Sequence, residues 1–114
     1  MKWVNLTLRD LMLLPKGSPP VMLAAGHPAA IPAIVHERQE SASPPKPVEG
    51  IPTVYLLRKG VKGLPPKCEG VCYIVRPSLM SEVPLTRNDV FAPAGVQFVE
   101  GPKEPLVVTE LERV

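Results

Sequence analysis

A chain of 114 residues has room for one core and not two, so residues 1–114 are expected to form a single domain. With 45% hydrophobic and 21% charged residues, the chain matches an ordinary globular protein able to bury a modest core. A net charge of +2 gives no strong nucleic-acid signal, and no run approaches the ~20 apolar residues that a helical membrane span needs.

In chain order, Val4, Leu6 and Leu8 alternate against Asn5, Thr7 and Arg9, a half-buried strand pattern. The apolar run 11–14 continues it to Pro15, so residues 3–14 are expected as strand. Residues 16–20 (KGSPP) form a turn, and residues 21–25 return as the second strand of a hairpin. Residues 31–37 read as a short edge strand, because Pro32 cannot donate to a ladder. The polar, Pro- and Ser-rich stretch 38–50 is expected to be a mobile loop within the domain. Residues 51–59 (IPTVYLLRK) give the clearest strand signal, rich in β-branched and aromatic residues. A turn is expected over 60–70 and a buried strand over 71–75. Ser78 in the N-cap position, with Leu79, Met80 and Val83 on one face and Pro84 as a stop, predicts one short helix over 78–83. Strands follow at 89–92 and 95–99, then a Gly101–Pro102 turn and a last strand at 105–111. The expected class is mainly β (α+β), a small antiparallel sheet or partial barrel with one short helix.

Sixteen prolines amount to about three times the usual frequency, and Asn and Gln number four together. Proline lowers the entropy of the unfolded chain, so both traits point to a thermophilic source. The start of the chain lacks the long apolar stretch of a signal peptide, which makes a cytoplasmic setting the expectation. Arg58, Lys59, Lys62 and Lys67 cluster, but an exposed hairpin carries such charges routinely.

Cys68 and Cys72 stand four apart. They can be two small apolar side chains, a disulfide, or half of a metal site that His27 and His36 would have to complete. Neither a Gly-x-Ser-x-Gly elbow nor a glycine-rich phosphate loop occurs, and Glu37/Glu40 and Glu110/Glu112 lie in polar or terminal stretches. No catalytic residue, metal ligand or cofactor is therefore expected, and the chain is not read as an enzyme. The segment after the short helix is richer. Arg87, Asn88, Asp89 and Phe91 bring a guanidinium, an amide, a carboxylate and an aromatic ring to one junction, with Arg76 as a second cation nearby. Such groups can grip a phosphate and stack a base. The plainer alternative is an Arg87–Asp89 turn contact with Phe91 in the core.

Asn5-Leu6-Thr7, Glu49-Gly50-Ile51-Pro52, Gly63-Leu64-Pro65-Pro66 and Glu69-Gly70 through Val75 recur in an order resembling a family of small bacteriophage and prophage proteins that open with Asn-Leu-Thr-Pro-His. Pro84, Arg87, Asp89 and Pro93 extend the likeness. The chain departs from it with Leu8-Arg9 in place of Pro-His, with Arg76 in place of a small polar residue, and in lacking a Gly-Cys ending. The resemblance implies a viral accessory protein in the cytoplasm of an infected bacterial host. On this reading the protein is a binding module for a host protein or a small nucleotide-like ligand, with Arg87, Asn88, Asp89, Phe91 and Arg76 near the site. A structural or assembly component of a phage virion is the alternative. Short exposed strands also leave room for a homo-oligomer.

Overall fold

The computed structural model describes residues 1–39, 43–97 and 104–113. Part of the loop expected over 38–50, the end of the strand expected at 95–99, and the Gly101–Pro102 turn lie outside the described residues. The described residues form eight strands: β1 (Lys2–Asn5), β2 (Leu11–Leu13), β3 (Val21–Leu23), β4 (Ala33–Arg38), β5 (Leu56–Lys62), β6 (Val71–Ile74), β7 (Val90–Gln97) and β8 (Leu106–Glu112). Six of them form one sheet in the order β1-β6-β7-β8-β2-β3, which curls nearly into a barrel. β4 and β5 form a separate antiparallel arm. The molecule is mainly β with a short helix, as expected; of the two expected architectures the larger sheet takes the partial-barrel form, and a small antiparallel sheet stands beside it.

The ladders of the larger sheet are mixed. β1 and β7 both run parallel to β6, and β2 runs parallel to β8. Only the β2–β3 hairpin and the β7–β8 pair are antiparallel. Parallel neighbours are far apart in sequence, so no local pattern announces them.

Several element bounds differ from the sequence reading, each for a local reason. Residues 6–10 leave the sheet because the Asn5 side chain folds the backbone into a turn: its Oδ1 accepts from the Thr7 N–H at 2.9 Å. The strand expected over 51–59 starts later, at Leu56, and runs on to Lys62. Before it, Val48 and Ile51 exchange backbone hydrogen bonds across Glu49 (φ 49°) and Gly50 (φ 80°), a tight turn that uses up the start of the apolar run. Gly60, expected in a turn, belongs to a bulge: Ile34 pairs with Val61 and His36 with Arg58, leaving Lys59 and Gly60 opposite Val35 alone. Its φ of 109° suits glycine. The strands expected on either side of Pro93 are one strand, β7. Pro93 is accommodated because β6 pairs only with Val90 and Phe91, so its missing N–H falls past the end of that ladder.

The helix expected over 78–83 is a 3-10 helix, Pro77–Glu82, and a further 3-10 turn lies at Pro28–Ala30. Arg76 occupies the N-cap position without a side-chain hydrogen bond, so Ser78 is not the cap; Pro77 opens the first turn with a preset φ. Leu79 is fully buried and Val83 nearly so, with Met80 packed beside them.

Two apolar clusters hold the molecule. Leu11, Leu13, Ile74 and Val108, with Trp3, Val21, Leu23, Leu106 and Leu111 around them, come from five of the six strands and fill the inside of the near-barrel. Leu6, Tyr73, Val75, Leu79, Val83 and Val90 form the second cluster, on the outer face. There the 3-10 helix and the base of the arm, Ile34 and Val61, cover the sheet. β6 belongs to both because successive side chains point to opposite faces.

The two edge strands, β1 and β3, meet through side chains rather than a ladder. Asn5 Nδ2 donates to the carbonyls of Ala24 (3.1 Å), Leu23 (3.3 Å) and Arg9 (2.8 Å). The Gly26 N–H donates to the Thr7 carbonyl at 2.8 Å, and the Ala25 N–H to Asp10 Oδ1 at 2.7 Å. A Cβ on Gly26 would lie 2.8 Å from the Asn5 carbonyl oxygen, so only glycine permits this approach.

Candidate functional site

The structure distributes the expected site residues over three places. Arg87 lies beyond the 3-10 helix, at the entry to β7, where its Nε and Nη2 donate to Asp89 Oδ1 (2.8 Å) and Oδ2 (3.0 Å) in a bidentate pair. Nη2 also donates to the Pro65 carbonyl at 2.8 Å. The two side chains are 16% and 6% exposed, so the pair is largely withdrawn from water. Hydrogen bonds from Arg87 hold the Asp89 carboxyl below the usual carboxylate range against the opposing effect of burial, and Lys67 adds a smaller pull the same way. The same bond raises the Arg87 guanidinium above its ordinary value. Tyr73 reaches the next carbonyl, Pro66, through its hydroxyl at 3.3 Å. Arg87 and Tyr73 thus moor the 63–67 loop to the sheet, and the strongest polar contact of the junction is committed within the protein.

Phe91 turns to the opposite face of β7 from Val90, whose side chain is in the outer cluster. Its ring meets Trp3 edge to face, with centroids 5.8 Å apart and planes at 65°. Asn88 is exposed beside the pair. Arg87, Asp89 and Phe91 therefore do not converge on one ligand position.

Arg76 stands apart, and it is the member of the set that lines a cavity. One end of the near-barrel opens into a space of about 360 Å³ bounded by Leu8, Leu11, Ile31, Pro77, Pro93 and Leu106, with Thr7, Arg9, Arg76 and Val96 completing the wall. Its size falls in the range of small-molecule sites, and barrel mouths are a usual place for them. The Arg76 guanidinium is exposed and makes no hydrogen bond or ion pair with another described residue. Arg9 donates from Nη2 to the Glu104 carbonyl at 3.2 Å and is otherwise exposed. Two cations beside an apolar wall can neutralise an anion whose body enters the cavity. A sequence reading finds Arg76 but not Arg9 or the wall, because these residues come from five separate stretches of the chain that only closure of the barrel brings together. The other end of the barrel carries a more polar hollow, in which Lys16 and Glu110 accompany Trp3, Leu13 and Val108.

Both cysteines are free, Cys68 exposed in the turn and Cys72 buried in β6 with its Sγ 3.4 Å from Met1 Sδ. His27 accepts the Ala29 N–H on Nδ1 at 3.1 Å, and His36 lies exposed on β4 opposite Arg58. Among the described residues no group of three or more His, Cys, Asp or Glu is arranged to hold a metal ion, and no helix is long and apolar enough to cross a membrane. Comparison with protein-family models, with curated proteins and with solved structures finds no match.

Proposed function

We propose that this protein is a non-enzymatic binding module that takes a small anionic ligand into the Arg9–Arg76 mouth of its near-barrel. The observation that carries the reading is Arg76, which lines an apolar cavity and whose exposed guanidinium is unpaired among the described residues. An exposed guanidinium with no partner among the described residues is ready to form a bidentate bond to a phosphate or carboxylate. The nucleotide-like molecule expected from the sequence belongs to this anionic class. The likeness to small phage proteins supports an accessory role in an infected bacterial cell.

Thermal-shift titration with a panel of anionic metabolites tests the proposal. A ligand that raises the melting temperature of the protein should lose most of its effect in Arg76→Ala, whose fold is untouched. A ligand shift that survives both Arg76→Ala and Arg9→Ala removes this mouth from consideration.

A second reading, a virion assembly component, is favoured by the arm. The radius of gyration is 17.5 Å, against about 13 Å for a compact chain of this length, and the long axis reaches 57 Å. Along the arm and the stretch before β5, Val35, Ile51, Val54, Tyr55, Leu56 and Leu57 are exposed. Bare apolar surface of this kind is how subunits find each other. Sedimentation equilibrium decides: association that Leu57→Lys abolishes supports assembly, and a monomer at every concentration counts against it.

A further inference from the structure

We infer that the ligand of the Arg76 mouth is an amphipathic monoanion, an aliphatic chain ending in a carboxylate, rather than a nucleotide. The inference rests on the binding-module reading and narrows its chemistry. A nucleobase carries several hydrogen-bonding groups on its edge, and burying them without partners is costly. The cavity wall has almost nothing to offer them. Leu8, Leu11, Ile31 and Leu106 supply hydrocarbon, and Pro77 and Pro93 lack even a backbone N–H. The one hydroxyl of the wall is spent: Thr7 Oγ1 donates to Asn5 Oδ1 at 2.7 Å and accepts from the Arg9 N–H at 3.4 Å. Stacking is missing as well, since none of the described aromatic rings, Trp3, Tyr55, Tyr73 or Phe91, lines the space. An aliphatic body meets all of these conditions, because it asks for contact area and no partners.

The charge at the mouth fixes the other end of the molecule. Arg76 is unpaired among the described residues, and the remaining donors of Arg9 point from a side chain only partly engaged by Glu104. A guanidinium and a carboxylate match in planar, two-bond geometry. The chain would lie against Leu8, Leu11 and Leu106 with its head held at Arg76.

Calorimetric titration of the intact protein with decanoate, decanol and adenosine monophosphate tests this, each kept below any micelle concentration. Decanoate should bind at least tenfold more tightly than decanol, and adenosine monophosphate should give no saturable heat. Arg76→Leu should erase the preference for decanoate over decanol while leaving decanol binding in place, and Leu11→Gln should weaken both. If adenosine monophosphate binds in an Arg76-dependent way and decanoate does not, the aliphatic assignment is overturned while the binding site stands. If neither gives heat that depends on Arg76, the site and the assignment fall together. Binding of decanoate and decanol with equal affinity removes Arg76 as the recognition group. A peptide ending in Leu-Leu with a free carboxylate, run beside its amidated form, separates a free fatty acid from a chain terminus as the source: tight binding of the free-carboxylate peptide but not of decanoate would overturn the fatty-acid form.

Discussion

The near-barrel and the β4–β5 arm are both β structure rich in Val and Leu, yet they treat those residues in opposite ways. In the barrel, Ile74, Val75, Leu79 and Val90 are fully buried between strands, helix and arm base. In the arm, Leu56 and Leu57 are 58% and 42% exposed, and among the described residues the strands pair only with each other. A two-stranded ribbon has no second layer to cover its faces, so only the end that leans on the barrel, at Ile34 and Val61, joins a core. Local β propensity makes a strand, and a second layer is needed to make a core.

That contrast predicts a graded series of mutational effects, each measured by chemical denaturation. The largest belongs to the outer cluster: Leu79→Ala should cost about 3 kcal/mol, because the cavity it leaves is enclosed on every side. Arg87→Ala should follow closely, at about 3 kcal/mol, by leaving the Asp89 carboxylate buried without its partner and releasing the Pro65 carbonyl. Asn5→Ala should cost about 2 kcal/mol, since it opens the join between β1 and β3 at several hydrogen bonds together. Leu57→Ser on the arm should change stability by no more than about 0.5 kcal/mol. If Leu57→Ser costs as much as Leu79→Ala, the arm is covered in solution and the contrast is broken.

The Arg87–Asp89 pair also gives the barrel an acid limit. The Asp89 carboxyl is held below its ordinary value in the folded protein, so its contribution is complete above the unfolded pKa, near 3.9. It fades as pH falls through the lower folded value, where the carboxylate takes up a proton and the pair is lost. Asp89→Asn should therefore flatten the decline of melting temperature below pH 4 while lowering stability at neutral pH. An unchanged acid limb in that variant would show that other carboxylates set the acid limit.

Much of the strand content is legible in the sequence. The β2–β3 hairpin follows from an apolar run on each side of Lys16-Gly17-Ser18-Pro19-Pro20, and Val71–Ile74 is read as buried from its composition. The short helix is placed between Pro77 and Pro84, although its cap falls at Arg76 rather than the expected Ser78 and its 3-10 form is not visible beforehand. The candidate site is much less legible. Arg87 and Asp89 stand out as a charged junction, and the sequence allows either a ligand clamp or an internal pair; the bidentate geometry and the Pro65 carbonyl complete the internal pair. Arg76 reads as a neighbour of that junction, whereas in space it belongs with Arg9 and Leu106.

By itself, then, the sequence determined a mainly β chain cut into short strands by its prolines, because φ restriction, alternation and turn residues act over a few positions. The tertiary structure decided which strands run parallel, that Asn5 and Gly26 join the two sheet edges, and that a cavity flanked by Arg9 and Arg76 opens at one end. Those features depend on residues up to about a hundred positions apart, as in the Arg9–Glu104 contact. No local pattern encodes them, because they exist only once the barrel has closed.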